Sequence, residues 1–98
     1  MLIRVVKMTF KPEGVEEFLE TFEKFKSRIR NAEGCLHLQL WRDQNSPNIF
    51  FTYSHWENES FLEEYRKSET FAEVWPLTKT LFIDKAEAWS VQSLATID

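Results

Sequence analysis

The feature of this sequence that most constrains its fold is the changing spacing of its apolar residues. Residues 2–10 mix apolar and β-branched side chains with charges and stop at Pro12 and Gly14, which predicts a strand. From residue 15 to residue 30 the apolar positions recur every three or four residues, with acidic residues in the first turns and basic residues in the last. This segment is therefore predicted to be an amphipathic helix.

Two segments in which apolar and polar residues alternate follow this helix. They are CLHLQLWR (35–42) and IFFTYSHW (49–56), separated by DQNSPN, and they predict a β-hairpin. If Arg42 pairs with Ile49, one face of the hairpin carries the leucines together with Phe51, Tyr53 and His55. The other face then carries His37, Gln39, Trp41, Phe50, Thr52, Ser54 and Trp56. A β-bulge would shift this register.

The remainder of the chain predicts an interrupted helix and a last strand. Asn58 and Ser68 both suit helix N-caps, and the second helical piece is expected to stop before Pro76. AEAWSVQSL (86–94) alternates again and predicts a strand. The order of elements is βαββαβ. It indicates an α+β, ferredoxin-like single domain (1–98), with an antiparallel four-stranded sheet and the helices on one face.

Charge and cysteine content narrow the possible partners and the location. Twelve Lys and Arg against sixteen Asp and Glu give a net charge of -4, which argues against binding to nucleic acid or to a membrane surface. The single cysteine, Cys35, cannot form an internal disulfide, so a cytoplasmic location is expected. No segment has the composition of a signal peptide or a membrane span.

The sheet face away from the helices is predicted to be rich in aromatic residues. Helices on one side cover only half of such a sheet, and an aromatic face of this size is rarely left in water. Pairing of two sheets in a homodimer would cover it. We therefore expect a homodimer.

Over residues 2–92 the chain resembles the antibiotic biosynthesis monooxygenase superfamily of dimeric α+β barrels. The matching features are the first helix followed by Gly34 and Cys35, the hairpin LHLQLWRDQNSPNIFFTYSHW, the stretch WENESFLEEYRKSETFAEVW and the final AEAWSV. The resemblance implies the fold. For function it leaves several activities open, because the superfamily includes cofactor-free oxygenases, heme-degrading enzymes and isomerases.

The expected site is a cavity between the sheet and the broken second helix. We expect Tyr65 and His55 to be catalytic and Phe51, Tyr53, Phe71 and Trp75 to bind substrate. Tyr65 lies where many members of the superfamily have a histidine, and tyrosine is a better hydrogen-bond donor than base at neutral pH. His55 has the intrinsic pKa of a base.

No cofactor and no metal are predicted. The positions that hold heme in the heme-degrading relatives correspond here to Val6, Tyr65 and Trp75, and all three differ from the family pattern. In the predicted register His37 and His55 point to opposite faces, and no paired His or Cys spacing of a metal site exists.

The leading functional hypothesis is a cofactor-independent monooxygenase acting on a small aromatic substrate of quinol or polyketide type. One alternative is a dimer that binds a small molecule without catalysis, including a stress-associated one. The other alternative is an isomerase that uses the same pocket for proton transfer. A titratable group pointing into the cavity would distinguish these hypotheses.

Overall fold

The computed structural model describes residues 1–98. Its elements are β1 (Leu2–Thr9), α1 (Val15–Arg30), β2 (Cys35–Arg42), β3 (Ile49–Trp56), α2 (Glu59–Arg66), α3 (Glu69–Lys79) and β4 (Glu87–Val91). A 3-10 turn at Pro12–Gly14 leads into α1. The strands form one antiparallel sheet in the order β2-β3-β1-β4. The predicted ferredoxin-like α+β fold is confirmed.

Local sequence signals explain where the helices of the second half begin. The Asn58 side chain accepts hydrogen bonds from the backbone N–H groups of Ser60 and Phe61, which caps α2 as predicted. Ser68 caps α3 in the same way. One local expectation is wrong: α3 continues through Pro76 to Lys79. The proline removes one backbone donor, and the residues after it still form helical hydrogen bonds.

The predicted register of the hairpin is wrong by one residue along most of its length. Arg42 pairs with Phe50 rather than with Ile49, and His37 pairs with His55. The predicted pairing holds only at Cys35 and Trp56, because a bulge between Cys35 and His37 shifts the register. A shift by one residue exchanges the two faces of a strand.

This shift reverses the predicted faces of β3, while residues 37–41 of β2, beyond the bulge, face as predicted. The β3 side chains on the helix side are Phe50, Thr52, Ser54 and Trp56. Those on the other side are Phe51, Tyr53 and His55, next to His37, Gln39 and Trp41 of β2. We call the side away from the helices the outer face.

The core between α1 and the sheet is built from phenylalanine rings. Phe10 stacks on Phe18 with ring centroids 4.2 Å apart, and Phe50 meets Phe18 edge-on at 5.2 Å. These rings and Met8 are almost fully buried. A second cluster of Cys35, Trp56 and Leu62 fixes α2 against the sheet. Aromatic pairs of this kind add stability beyond the area that they bury.

The outer face of the sheet has no helix against it. Trp41, Trp89 and Val91 are 41%, 44% and 43% exposed. Trp41 stacks on Tyr53 with ring centroids 4.5 Å apart, so these rings cover one another only in part. The aromatic outer face predicted from the sequence therefore exists, although β3 supplies a different set of residues to it.

No helix has the length and apolar character needed to cross a membrane.

Gly34 gives the first testable prediction. Its φ of 82° lies in the left-handed region, and a Cβ there would collide with the Phe61 ring. We expect Gly34→Ala to lower the free energy of unfolding by about 2–4 kcal/mol, from backbone strain and overpacking together. Urea denaturation measures this. Gly14→Ala is the matched control, because a Cβ at Gly14 meets Leu81 at an ordinary 3.4 Å. Equal stability of the two variants would contradict the prediction.

Candidate functional site

A cavity of about 290 Å³ lies between the helices and the inner face of the sheet. Fourteen of its nineteen lining residues are hydrophobic. Ligand sites in proteins are usually apolar with a few placed polar groups, and this cavity lies at the lower end of their size range. It therefore suits a small, mostly apolar ligand.

The wall from α2 and α3 is a row of aromatic side chains. Tyr65 meets Phe71 edge-on with ring centroids 5.4 Å apart, and Phe71 stacks on Trp75 at 5.6 Å. Tyr65 also packs against Trp56 of β3, at 5.2 Å. Three of the six predicted site residues, Tyr65, Phe71 and Trp75, thus line one cavity, as expected.

The break between α2 and α3 sets the shape of this wall. The Ser68 hydroxyl donates to the Tyr65 carbonyl at 2.6 Å and accepts from the Phe71 N–H at 3.2 Å. One side chain therefore ends α2 and begins α3. The turn brings Tyr65 and Phe71 to the same side of the chain.

Small side chains on the sheet leave the space that the cavity occupies. Thr52 and Ser54 of β3 and Ala88 of β4 all line it. The Ser54 hydroxyl accepts a hydrogen bond from the Trp56 indole at 3.0 Å, so this buried polar group is satisfied within the chain. Larger residues at these positions would fill the cavity.

The other three predicted site residues lie elsewhere. Phe51, Tyr53 and His55 project from the outer face, and none of them lines the cavity. Their predicted placement opposite Tyr65 is wrong because of the register shift at the bulge. His55 therefore cannot act as a base on a ligand held in this cavity of its own chain.

The outer face carries its own group of aromatic and titratable side chains. His55 Nε2 lies 2.7 Å from the Tyr53 hydroxyl, and the His37 and His55 rings are 4.9 Å apart. The prediction that the two histidines point to opposite faces is therefore wrong. Burial and the neighbouring His37 lower the pKa of His55. No group of three or more His, Cys, Asp or Glu residues is suited to hold a metal ion.

Tyr65 is the titratable side chain at the centre of the aromatic wall. Burial, with a smaller effect of Cys35, raises the pKa of Tyr65 to about 12. The hydroxyl is therefore protonated at neutral pH and can donate a hydrogen bond. It makes no hydrogen bond within the chain, whereas the Thr78 hydroxyl, which also lines the cavity, donates to the Val74 carbonyl. Tyr65 thus has a free donor to offer a ligand.

Arg4 and Arg66 also line the cavity. Neither was among the site residues predicted from the sequence. Arg4 of β1 is half-buried and donates to the Ser90 hydroxyl at 3.0 Å, and the exposed Arg66 lies 3.3 Å from Glu63. Burial and the charge of Arg66 lower the pKa of Arg4, while Glu63 acts in the opposite direction. One sequence signal could have identified Arg4: it shares the inward alternation of Val6 and Met8.

Comparison with known proteins agrees with this fold. The family model described as Antibiotic biosynthesis monooxygenase matches residues 1–75. A crystal structure of an antibiotic biosynthesis monooxygenase superimposes with a TM-score of 0.91 at 21% identity, covering 97% of this chain and 100% of the other. A conserved protein from Methanosarcina mazei Go1 gives a TM-score of 0.88 at 27% identity, covering 94% of this chain and 92% of the other.

The name of one curated relative refers to heme binding. A protein of Natronomonas pharaonis, provisionally named a heme-binding protein, is 26% identical over 77 residues. The match covers 79% of this chain and only 13% of that protein. Whether this chain can hold a heme therefore depends on the residues that line its own cavity.

The donor set of the cavity does not fit a heme iron. Its lining contains no histidine or cysteine, and Met8 is buried in the phenylalanine core. Tyrosine can ligate heme iron as the phenolate, but the raised pKa of Tyr65 disfavours that form. The match over residues 1–75, together with the shared fold, shows that this chain belongs to the antibiotic biosynthesis monooxygenase family.

Proposed function

We propose that the protein is a cofactor-independent monooxygenase that oxidises a small aromatic compound in the helix-side cavity. The observation that carries this proposal is the apolar cavity with an aromatic wall that includes Tyr65, whose hydroxyl makes no hydrogen bond within the chain. Tyr65, Phe71 and Trp75 are the proposed substrate-contacting residues. Membership of the family supports the same reaction class.

The reaction needs no cofactor, because the substrate supplies the electrons and dioxygen accepts them. An anthrone-type substrate loses a proton from its ring methylene to the solvent and becomes an electron-rich enolate. The enolate reduces dioxygen and forms a carbon–oxygen bond. One oxygen atom stays as the new carbonyl, and the other leaves as water with the two hydrogens of the methylene. The four electrons that the carbon loses are the four that dioxygen gains.

The protein contributes binding, orientation and exclusion of water. The Phe71 and Trp75 rings hold a flat ligand by stacking or edge contacts. The Tyr65 hydroxyl donates to the oxygen on which the enolate charge is concentrated, and this stabilises the anion in a mostly apolar site. An apolar lining also favours dissolved dioxygen over water.

A binding protein without turnover is the second candidate function. The observation that favours it is the absence of any histidine, aspartate or glutamate from the cavity lining. Without such a base, a substrate of high pKa would not be deprotonated there. An isomerase, the third hypothesis, depends even more on a proton-transferring group and is the least supported.

A homodimer through the outer face is part of the proposal. Members of this family are commonly dimeric, and the exposed Trp41, Trp89 and Val91 lie on a face that nothing in the chain covers. Pairing two such faces would bury the aromatic group of His37, Trp41, Tyr53 and His55. Aromatic residues of this kind are enriched where protein surfaces associate.

Replacing the Tyr65 hydroxyl tests the catalytic proposal. We expect wild-type protein to accelerate oxygen consumption with anthrone above its spontaneous oxidation. Tyr65→Phe should weaken stabilisation of the anion by about 1–3 kcal/mol and slow oxygen uptake about tenfold or more. An oxygen electrode measures the rate. Tyr53→Phe is the matched control, because it removes a tyrosine hydroxyl on the outer face. Binding of anthrone without oxygen uptake would instead support the binding protein.

Charge on the outer face tests the proposed dimer. We expect light scattering to give twice the 11.8 kDa chain mass for the wild type. Trp41→Glu should shift the protein towards the monomer, since it places a charge in an apolar interface. Leu77→Glu, at a 51% exposed leucine of α3, is the control and should remain dimeric. A monomeric wild type, or an unchanged Trp41→Glu dimer, would refute this interface.

Acid should weaken the protein through His55. The folded-state pKa of His55 is below its ordinary value because of burial and His37. Its contribution to stability is therefore complete above the ordinary histidine pKa and is lost as the pH falls through the lower folded-state pKa. Urea midpoints measured from about pH 8 to pH 5 should fall, and should fall less in His55→Gln. An identical pH profile for both proteins would contradict this role of His55.

A further inference from the structure

Arg4 occupies a position that the sheet would normally give to an apolar side chain. It lies in β1 on the same side as Val6 and Met8, towards the helices and the cavity. Its neighbours across the sheet on that side are Ser54 and Ser90. A half-buried cation loses part of its hydration, so its presence calls for a compensating partner.

The chain itself does not supply a full partner for Arg4. Its guanidinium donates to the neutral Ser90 hydroxyl and forms no salt bridge. Arg66, at the end of α2, brings a second positive charge to the same cavity, and its salt-bridge partner is the half-buried Glu63 at 3.3 Å. Guanidinium groups have several N–H donors in a planar fork that matches an oxyanion.

The cavity lining combines these cations with neutral donors and contains no acidic residue. Its titratable lining residues are Arg4, Tyr65 and Arg66. The chain as a whole carries a net charge of -4, so this positive end differs from the average surface. A neutral ligand would leave Arg4 without an ionic partner, whereas an oxyanion would satisfy both Arg4 and the Tyr65 hydroxyl.

We propose that the helix-side cavity selects small aromatic compounds that enter as oxyanions, with Arg4 and Arg66 contacting the negatively charged oxygen. The inference rests on the proposed ligand-binding cavity and names the class of compound that it takes. The ligand class is an acidic phenol or enol, or an aromatic carboxylate. The apolar lining accommodates the rings, and the arginines mark the end where the charge lies.

Selection of anions would also explain how the cavity could work without a base. A phenol or enol acidic enough to be ionised at neutral pH needs no proton acceptor from the protein. The two cations favour its anionic form and lower the pKa of the bound group further. The reactive electron-rich anion is then held by the protein rather than generated by it.

Matched pairs of charged and neutral probes test the proposal. The carboxylate pair is 2-naphthoate and 2-naphthamide. The phenolate pair is 4-nitro-1-naphthol, which is ionised at about pH 8, and its methyl ether. Isothermal titration calorimetry should show that at least one anion binds about tenfold or more tightly than its neutral counterpart. Comparing the two pairs distinguishes a carboxylate ligand from a phenolate or enolate.

Variants assign the preference to the arginines. Arg4→Gln should remove most of the anion preference and leave the affinity for the neutral probe within about twofold, whereas Arg4→Lys should keep part of it. Lys67→Gln is the control, since it removes an exposed cation next to Arg66 that does not line the cavity. Circular dichroism checks that Arg4→Gln is folded. If it is not, Arg66→Gln provides the same test from α2.

The outcomes separate this inference from the proposed function. Equal affinity for charged and neutral probes, or an anion preference that survives both arginine variants, would overturn charge selection and leave the oxygenase proposal standing. An anion preference lost in Arg4→Gln, without oxygen uptake from anthrone, would support charge selection and count against turnover. A wild-type protein that binds none of the four probes would overturn the inference, and oxygen uptake from anthrone would then still support the oxygenase.

Discussion

The contact of Phe10, Phe18 and Phe50 determines how the rest of the structure is arranged. Phe18 of α1 packs on Phe10 at the end of β1 and on Phe50 of β3, and all three rings are almost fully buried. With Phe50 turned towards the helices, alternation along β3 turns Thr52, Ser54 and Trp56 the same way. The same alternation sends Phe51, Tyr53 and His55 to the outer face. One aromatic cluster therefore fixes both the lining of the cavity and the character of the opposite surface.

This arrangement places the small hydroxyl residues of β3 on one face of the sheet and its tyrosine and histidine on the other. The inner face receives small hydroxyl residues, which leave room beneath the aromatic wall of α2 and α3. The outer face receives the histidines and a stacked tyrosine and tryptophan, which suits association better than catalysis within one chain. The site that results has hydrogen-bond donors and cations but no base. A substrate that ionises readily is therefore better matched to it than one that must be deprotonated by the protein.

The comparisons establish the family and the fold, and the chemistry depends on individual side chains. Solved structures at 21% and 27% identity share nearly the whole architecture. Within that shared architecture, the positions that face the cavity decide what can bind. Tyr65 gives a hydrogen-bond donor with a raised pKa rather than a base. Arg4 adds a charge at a position where the strand alternation favours an apolar residue.

The sequence by itself determined the elements, their order and two helix caps. Periodicity and caps are local, so the spacing of residues 15–30, Asn58 and Ser68 are readable without a fold. It also identified Tyr65, Phe71 and Trp75 as neighbours across the helix break. Only the tertiary structure decided which face of β3 meets the helices. Either set of alternate residues in IFFTYSHW could face the helices. The choice depends on the bulge between Cys35 and His37, and this bulge has no distinct pattern in the sequence. Arg4 was missed for a related reason. A charged residue in a strand is predicted to be exposed, and only the packing shows that the Arg4 side of β1 faces a cavity.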